Sequence, residues 1–219
     1  MSKLNSILNE IKKTALACGR NPNDITLLAV VKNQSIEAVQ SLINQGVFHL
    51  GENRVQEAMK KREVMKASNL VWHFIGPIQS NKTKLIAEHF SWVHSVDNIR
   101  HAERLNHQRP KDRPPLNVCL QVNISHEPKK SGISPDKVLI LAKQIKALPC
   151  LRLRGLMAIP KETTDRVAQR QSFCAMRHLF DECNQEGLEL DTLSMGMSGD
   201  FHLAIEEGAT LLRIGSALF

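Results

Sequence analysis

Seven apolar or β-branched residues run without a break, Ile25-Thr26-Leu27-Leu28-Ala29-Val30-Val31, and stop at Lys32. The polar Asn33, Gln34 and Ser35 follow. A continuous apolar run with polar punctuation reads as a strand buried on both faces. Such strands belong to parallel sheets covered by helices, so the chain is narrowed at once to an α/β architecture. Lys32 then falls at the carboxyl end of a strand, where α/β folds place their ligands. Two readings of it stand open. It ends the strand and snorkels to water, or partial burial disfavours the ammonium and frees a nucleophilic amine of the kind that forms Schiff bases.

The rest of the 219 residues alternates in the same way. Apolar runs predict strands at 25–31, 47–50, 70–75, 92–96, 116–124, 151–159, 192–195 and 209–214. Helices are predicted at 3–18, 35–45, 54–67, about 79–89, 98–108, 135–147, 163–186 and 200–207. Leu4, Ile7, Leu8 and Ile11 mark one face of the first helix, and Ile36, Val39, Leu42 and Ile43 one face of the second. Gly19, Gly46 and Gly187 act as stops, Pro135 opens a helix, and Asp97 or Asn98 caps another. The basic and polar stretch 126–134 is expected to be a loop. Eight strands, each but the last followed by a helix, make the (β/α)₈ count, so the expected fold is a TIM-type barrel. It would form a single domain over 1–219, with the N-terminal segment 1–18 covering the place of the missing last helix. A doubly wound open sheet is the alternative, but no Gly-rich fingerprint follows the first strand.

Composition excludes several classes. No apolar run approaches the roughly 20 residues that cross a bilayer, and Met1 to Lys13 lacks the core of a signal peptide. Five scattered cysteines without a C-x-x-C pair argue for a reducing cytosol, no disulfide framework and no metal site. The net charge of +7 could suit nucleic acid. The basic clusters Lys60-Lys61-Arg62, Lys111 to Arg113 and Lys129-Lys130 are short and lack aromatic neighbours, so they read as solvated faces. The chain contains no tyrosine.

In a barrel the ligand site lies on the loops after the strands, and a phosphate site often follows strands seven and eight. Here strand seven leads into Met195-Gly196-Met197-Ser198-Gly199-Asp200, which opens a helix, and strand eight into Gly215-Ser216-Ala217. Glycines let backbone N–H groups approach an anion, the hydroxyls add donors, and a helix start adds partial positive charge. Two ordinary turns are the competing reading. Arg213, among Leu211, Leu212 and Ile214, needs an acceptor: a structural ion pair or a ligand atom. Asn53 would hydrogen-bond a ligand or, as the favoured reading, cap the next helix. His73 reads as a satisfied core histidine and Met157 as core packing.

The order LLAVVK, HLGENRVQE, WHFIGPIQSNK, VHSVDN, LQVNIS, KSGI, GLMAIP, LSMGMSGDFHLAI and RIGSALF resembles the pyridoxal phosphate homeostasis protein family, over nearly the whole chain from about Leu27 to Phe219. These are single-domain relatives of the N-terminal barrel of alanine racemases. The resemblance implies a cytoplasmic (β/α)₈ barrel, commonly monomeric, that holds pyridoxal 5′-phosphate and regulates its supply to apo-enzymes without established catalytic turnover. It implies Lys32 as the Schiff-base lysine, with Ser198, Gly199, Gly215 and Ser216 around the phosphate. Arg213 would face the pyridine nitrogen, and Asn53 and Met157 would line the ring. No metal, nucleic acid or membrane partner is implied. The alternative is an amino-acid racemase or related enzyme using the same cofactor. Alanine racemases, however, use a tyrosine from a second domain as their opposite base, and this chain offers neither. Three positions depart from the family pattern: Val31 and Asn33 flank the lysine where serine and threonine are common, Pro77-Ile78 follow HFIG, and the sequence stops at Phe219.

Overall fold

The computed structural model describes residues 2–65, 69–128 and 130–219. Eight parallel strands close into a barrel in sequence order: β1 (Thr26–Val30), β2 (His49–Glu52), β3 (Val71–Phe74), β4 (Trp92–Val96), β5 (Leu116–Val122), β6 (Leu151–Ala158), β7 (Thr192–Ser194) and β8 (Leu211–Ile214). Closure comes from the β1–β8 ladder, which pairs Thr26 with Leu211 and Ala29 with Ile214. The open-sheet alternative is thereby excluded.

Helices α1 (Lys3–Ala17), α2 (Ile36–Asn44), α3 (Val55–Val64), α4 (Thr83–His89), α5 (Ile99–Gln108), α6 (Val138–Lys146), α7 (Arg166–Gln185) and α8 (Phe201–Glu206) surround the strands. Their caps are local chemistry: Ser35 accepts from Ala38 N–H, Asn98 from His101 N–H, and Asp165 from Val167 and Ala168 N–H. Among the described residues β8 is followed by a single turn at Ser216–Leu218, and α1 packs against that turn and against α8. It does so through Leu4, Ile7, Ile11 and Ala15; Leu8, expected on that face, is 42% exposed. The buried stripe runs i, i+3, i+7, i+11 from Leu4 to Ala15, and position 8 lies one residue past it.

Several boundaries moved. The second strand starts at His49, because Gly46 (φ +91°) and Val47 close α2 by donating to Ile43 and Leu42 carbonyls. It extends instead through Gly51 and Glu52. The stretch expected as a loop at 126–134 carries one β-bridge, from Ile133 to Val122. Lys129, and the expected end of α3 at 66–67, lie outside the described residues. After β1 the chain turns at Asn33, whose φ is +59°. Asparagine is among the few non-glycine residues that tolerate this region, whereas a β-branched threonine there would be strained.

Alternate strand residues face two different interiors. Ala29, Val31, Leu50, Trp72, Phe74, Leu156, Leu193, Leu212 and Ile214 join the apolar layer under the helices. The inside of the barrel is polar as well as apolar. Leu28, Met157 and Leu211 share it with fully buried His73, His94 and Ser194 and with Arg213, 4% exposed. His49 Nδ1 lies 2.9 Å from His73 Nε2, His73 Nδ1 lies 2.9 Å from His94 Nε2, and His94 Nδ1 lies 2.9 Å from Ser194 Oγ. Arg213 Nη1 donates to the same Oγ at 2.9 Å. Below this row, Arg154 is the extra residue of a bulge in β6. It grips Asp191 and lies 4.7 Å over the Trp92 ring, which stacks on His73. Among the described residues no cluster of acidic, histidine or cysteine side chains could hold a metal ion.

Burial, with Arg213 close by, lowers the pKa of His94 from 6.5 to about 3. Burial, with His94 and His49 close by, holds that of His73 well below 6.5. The folded chain keeps both neutral where the unfolded chain takes up protons, so stability falls as the pH falls below 6.5. Each group contributes up to about 1.4 kcal/mol per pH unit. Urea midpoints are expected to be level above pH 7 and to drop steeply between about pH 6.5 and 5. A midpoint that stays level down to pH 5 would show that the two imidazoles are not held neutral.

Candidate functional site

The site is built where strands β1, β2, β6, β7 and β8 end. The twofold alternation of β1 sends Ala29 and Val31 under the helices and leaves Leu28 and Val30 on the inner side. Carried two residues on, it brings Lys32 to the rim of the barrel mouth. There the lysine is exposed, as in the reading in which it ends the strand and reaches water, and not partly buried as in the other. One residue, Val31, separates it from the strand, and Lys32 itself opens the turn, which lifts the amine clear of the apolar layer. Lys32 makes no hydrogen bond or ion pair among the described residues.

A buried ion pair fixes the backbone on which it stands. Lys61 Nζ, reaching in from α3, donates to the Val31 carbonyl at 2.7 Å and pairs with the Glu52 carboxylate. Glu52 Oε2 in turn accepts from Asn53 N–H at 3.2 Å. Burial raises the pKa of Glu52, against which Lys61 and the Asn53 amide pull. The ends of β1 and β2 are thus tied together immediately before Lys32 and Asn53. Lys61 corrects the reading of Lys60-Lys61-Arg62 as a solvated face, since it is only 6% exposed. The signal was in the spacing: Val55, Ala58 and Met65 are buried, and position 61 lies on their stripe.

Asn53 does not cap α3. The N-cap is Arg54, which makes no side-chain cap bond. Asn53 instead lines a cavity of about 440 Å³ with Pro77, Gln79 and Lys82. Gly76 allows the two loops to meet, because a Cβ there would lie 2.1 Å from the Asn53 carbonyl oxygen.

The loops after β7 and β8 sit side by side. Gly196 turns the first with φ +91°, and a Cβ on it would lie 2.6 Å from that of Ala204. Asp200 closes the turn by accepting from Met197 N–H at 2.6 Å. Ser198 Oγ accepts from Ala217 N–H at 3.4 Å and so joins the two loops. Gly215 packs against the end of β1, with its missing Cβ 3.5 Å from Val30 Cβ. The backbone N–H groups of Ser198, Gly199 and Ser216 have no protein acceptor among the described residues. Helix α8 has only six residues, so these loop amides outweigh any helix dipole as anion donors. A second cavity of about 650 Å³ opens beside them, lined by Lys130, Pro160, Met197, Gly199 and Asp200.

Arg213 lies beneath this mouth. Its Nη1 donates to the Ser194 carbonyl at 2.7 Å and to Ser194 Oγ, and its Nη2 to the Ala158 carbonyl at 2.8 Å. Among the described residues no carboxylate pairs with it, and its Nε–H has no protein acceptor. Burial lowers its pKa to about 10, so it stays a cation at neutral pH. Met157, 1% exposed, faces the barrel interior from the adjoining β6. All eight residues singled out in the sequence therefore lie at one end of the barrel. Ser194, Glu52, Lys61, His49 and His94 were not singled out.

The alanine racemase N-terminal domain family matches residues 4–219. A pyridoxal phosphate homeostasis protein of Pseudomonas aeruginosa is 54% identical over 209 residues, covering 95% of this chain and 90% of its own. One of Escherichia coli K12 is 46% identical, covering 99% and 94%. The structure of PipY from Synechococcus elongatus with PLP bound aligns with a TM-score of 0.83 at 35% identity, over 96% of this chain and 99% of that one. An alanine racemase of Clostridium difficile shares the fold, with a TM-score of 0.78 at 16% identity over 56% of its length. The chain belongs to the pyridoxal phosphate homeostasis proteins, within the alanine racemase N-terminal domain family.

Proposed function

We propose that this chain is a one-domain barrel that holds pyridoxal 5′-phosphate and buffers its supply, rather than an enzyme that turns it over. The observation that carries the reading is Arg213: a buried guanidinium, fixed through both Nη atoms, with its Nε–H left unpaired at the mouth end of the barrel. At the same end of the barrel stand an unpaired amine at Lys32 and unpaired loop amides at Ser198, Gly199 and Ser216. An amine, a neutral anion cup and a cationic donor are the set that an aldehyde, a phosphate and a pyridine nitrogen require. The relatives' name and the PLP-bound neighbour point the same way.

Bound there, the cofactor supplies the aldehyde for a Schiff base and a ring that can withdraw electrons. Lys32 gives the amine. Ser198, Gly199, Gly215 and Ser216 donate to the phosphate, and Asn53 and Met157 border the ring. Arg213 donates its Nε–H to the ring nitrogen and cannot release a proton to it, which keeps the ring a weak electron sink. The chain has no tyrosine to act as a second base. We place the protein in the cytoplasm as a monomer that hands cofactor to apo-enzymes. Its five free cysteines suit a reducing compartment, and no helix among the described residues is long and apolar enough to cross a membrane.

Borohydride reduction of protein mixed with the cofactor should fix the label on the peptide carrying Lys32; a label on Lys82 or Lys130, beside the neighbouring cavities, refutes the assignment. Ser198→Ala should weaken binding of pyridoxal phosphate about tenfold and leave unphosphorylated pyridoxal nearly unaffected. Equal losses for both would remove Ser198 from the cup. Loaded protein incubated with L-alanine in deuterated water should show no catalytic α-proton exchange. Exchange that Lys32→Ala abolishes would promote the racemase alternative.

A further inference from the structure

We propose that His94, backed by His73 and His49, is a positioning residue for Arg213: it fixes the Ser194 hydroxyl as an acceptor and so aims the Arg213 Nε–H at the bound ligand. The proposal rests on the function proposed above and assigns a role to the barrel interior beneath that site.

Proton counting sets the direction of the row. The Ser194 hydroxyl carries one proton. Arg213 can only donate, so Oγ accepts from Nη1 at 2.9 Å. The hydroxyl proton must then go to the other neighbour, His94 Nδ1, also at 2.9 Å. His94, neutral in this setting, keeps its own proton on Nε2 and donates to His73 Nδ1. His73 does the same to His49 Nδ1. All three imidazoles are therefore the Nε2–H tautomer. The opposite order would place an Nδ1–H of His94 against Oγ. The hydroxyl would then receive two donors and keep its own proton without an acceptor among the described residues. Buried at 0% exposure, that loss is not repaired by water.

Packing holds the row in line. The Trp92 ring lies 5.4 Å from the His73 ring at 14°, and Arg154 lies 4.7 Å over the Trp92 ring. His49 ends the row in a cavity of about 210 Å³ at the amino-terminal end of the barrel, beside Asp24 and Asp191. The row thus runs the length of the barrel from that cavity to the guanidinium. Barrels usually fill this space with branched apolar side chains. Three imidazoles and a hydroxyl are a costly substitute unless their direction is used.

The test compares full-length wild type with Ser194→Ala, His94→Leu and His94→Asn. The two ligands are pyridoxal phosphate and its 1-deaza analogue, which has carbon in place of the ring nitrogen. Wild type should prefer the pyridine, and His94→Leu and Ser194→Ala should each cut that preference about tenfold while the Lys32 adduct still forms. His94→Asn should restore it, because Asn Oδ1 can stand where Nδ1 accepts the hydroxyl proton. ¹⁵N-edited NMR of the wild type should show Nε2–H tautomers for His73 and His94. A preference retained in both disrupting variants, or an Nδ1–H tautomer at His94, overturns the proposal and leaves the cofactor reading intact. A wild type that binds both ligands equally overturns the role of Arg213 and this proposal with it. If His94→Leu does not fold, Ser194→Ala and the wild-type tautomers still decide.

Discussion

The ladder between β1 and β8 is the interaction on which the rest depends. Four register pairs, from Thr26–Leu211 to Ala29–Ile214, turn an eight-stranded sheet into a closed surface. Closure leaves no unpaired edge and gives every strand an inner and an outer face. It also sets the first and last strands side by side. Lys32 and the Gly215-Ser216 turn are far apart in sequence yet stand on adjacent strand ends because of it. An open sheet with the same strands would carry them at opposite edges.

Once the barrel is closed, its interior must be filled, and this chain fills it with groups that need partners. Each polar side chain there is answered by another. Arg213 is answered by Ser194 and Ala158, Ser194 by His94, His94 by His73, and Arg154 by Asp191 and Asn117. Arg109 follows the same rule at the periphery, where it satisfies the carbonyls of Ala87, Phe90 and Pro114. The Lys61–Glu52 pair does so between barrel and helix. Removing one member of the buried Lys61–Glu52 pair strands the other in low dielectric, which costs about 3–5 kcal/mol. The polar interior is therefore a single connected constraint on strand positions.

The fold was legible because its signal is periodic. Continuous apolar runs and helical stripes repeat eight times, and each repeat alone predicts strand or helix. Of the candidate site, what was legible is position: Lys32 after the first strand and the paired Gly-Ser loops stand at the same end of the barrel, as their places after strands predict. What stayed hidden was pairing across the barrel. Glu52 reads as a loop carboxylate until Lys61 arrives nine residues later on a buried helical stripe. His49, His73 and His94 come from three different strands, and no local pattern says that their rings meet. Asn53 reads as a cap because Asx residues commonly are. Its backbone N–H is instead spent on Glu52 and its side chain lines a cavity.

The contrast between the two cations of the site bears on holding versus turnover. Arg213 is buried and fixed at three acceptors, while Lys32 is exposed on a turn that Asn33 bends with a positive φ. On the reading proposed above, the buried cation would define where a ring nitrogen sits, and it does not change protonation near neutral pH. The exposed amine stays in contact with water, and a Schiff base at that amine would be open to hydrolysis and to attack by another amine. An enzyme that stabilises a carbanion gains from excluding water around the reacting atoms. A carrier gains from the reverse, because release requires water or an incoming lysine to reach the linkage. On the reading proposed above, a rigid floor beneath an open mouth is the arrangement that binds one ligand specifically and still lets it go.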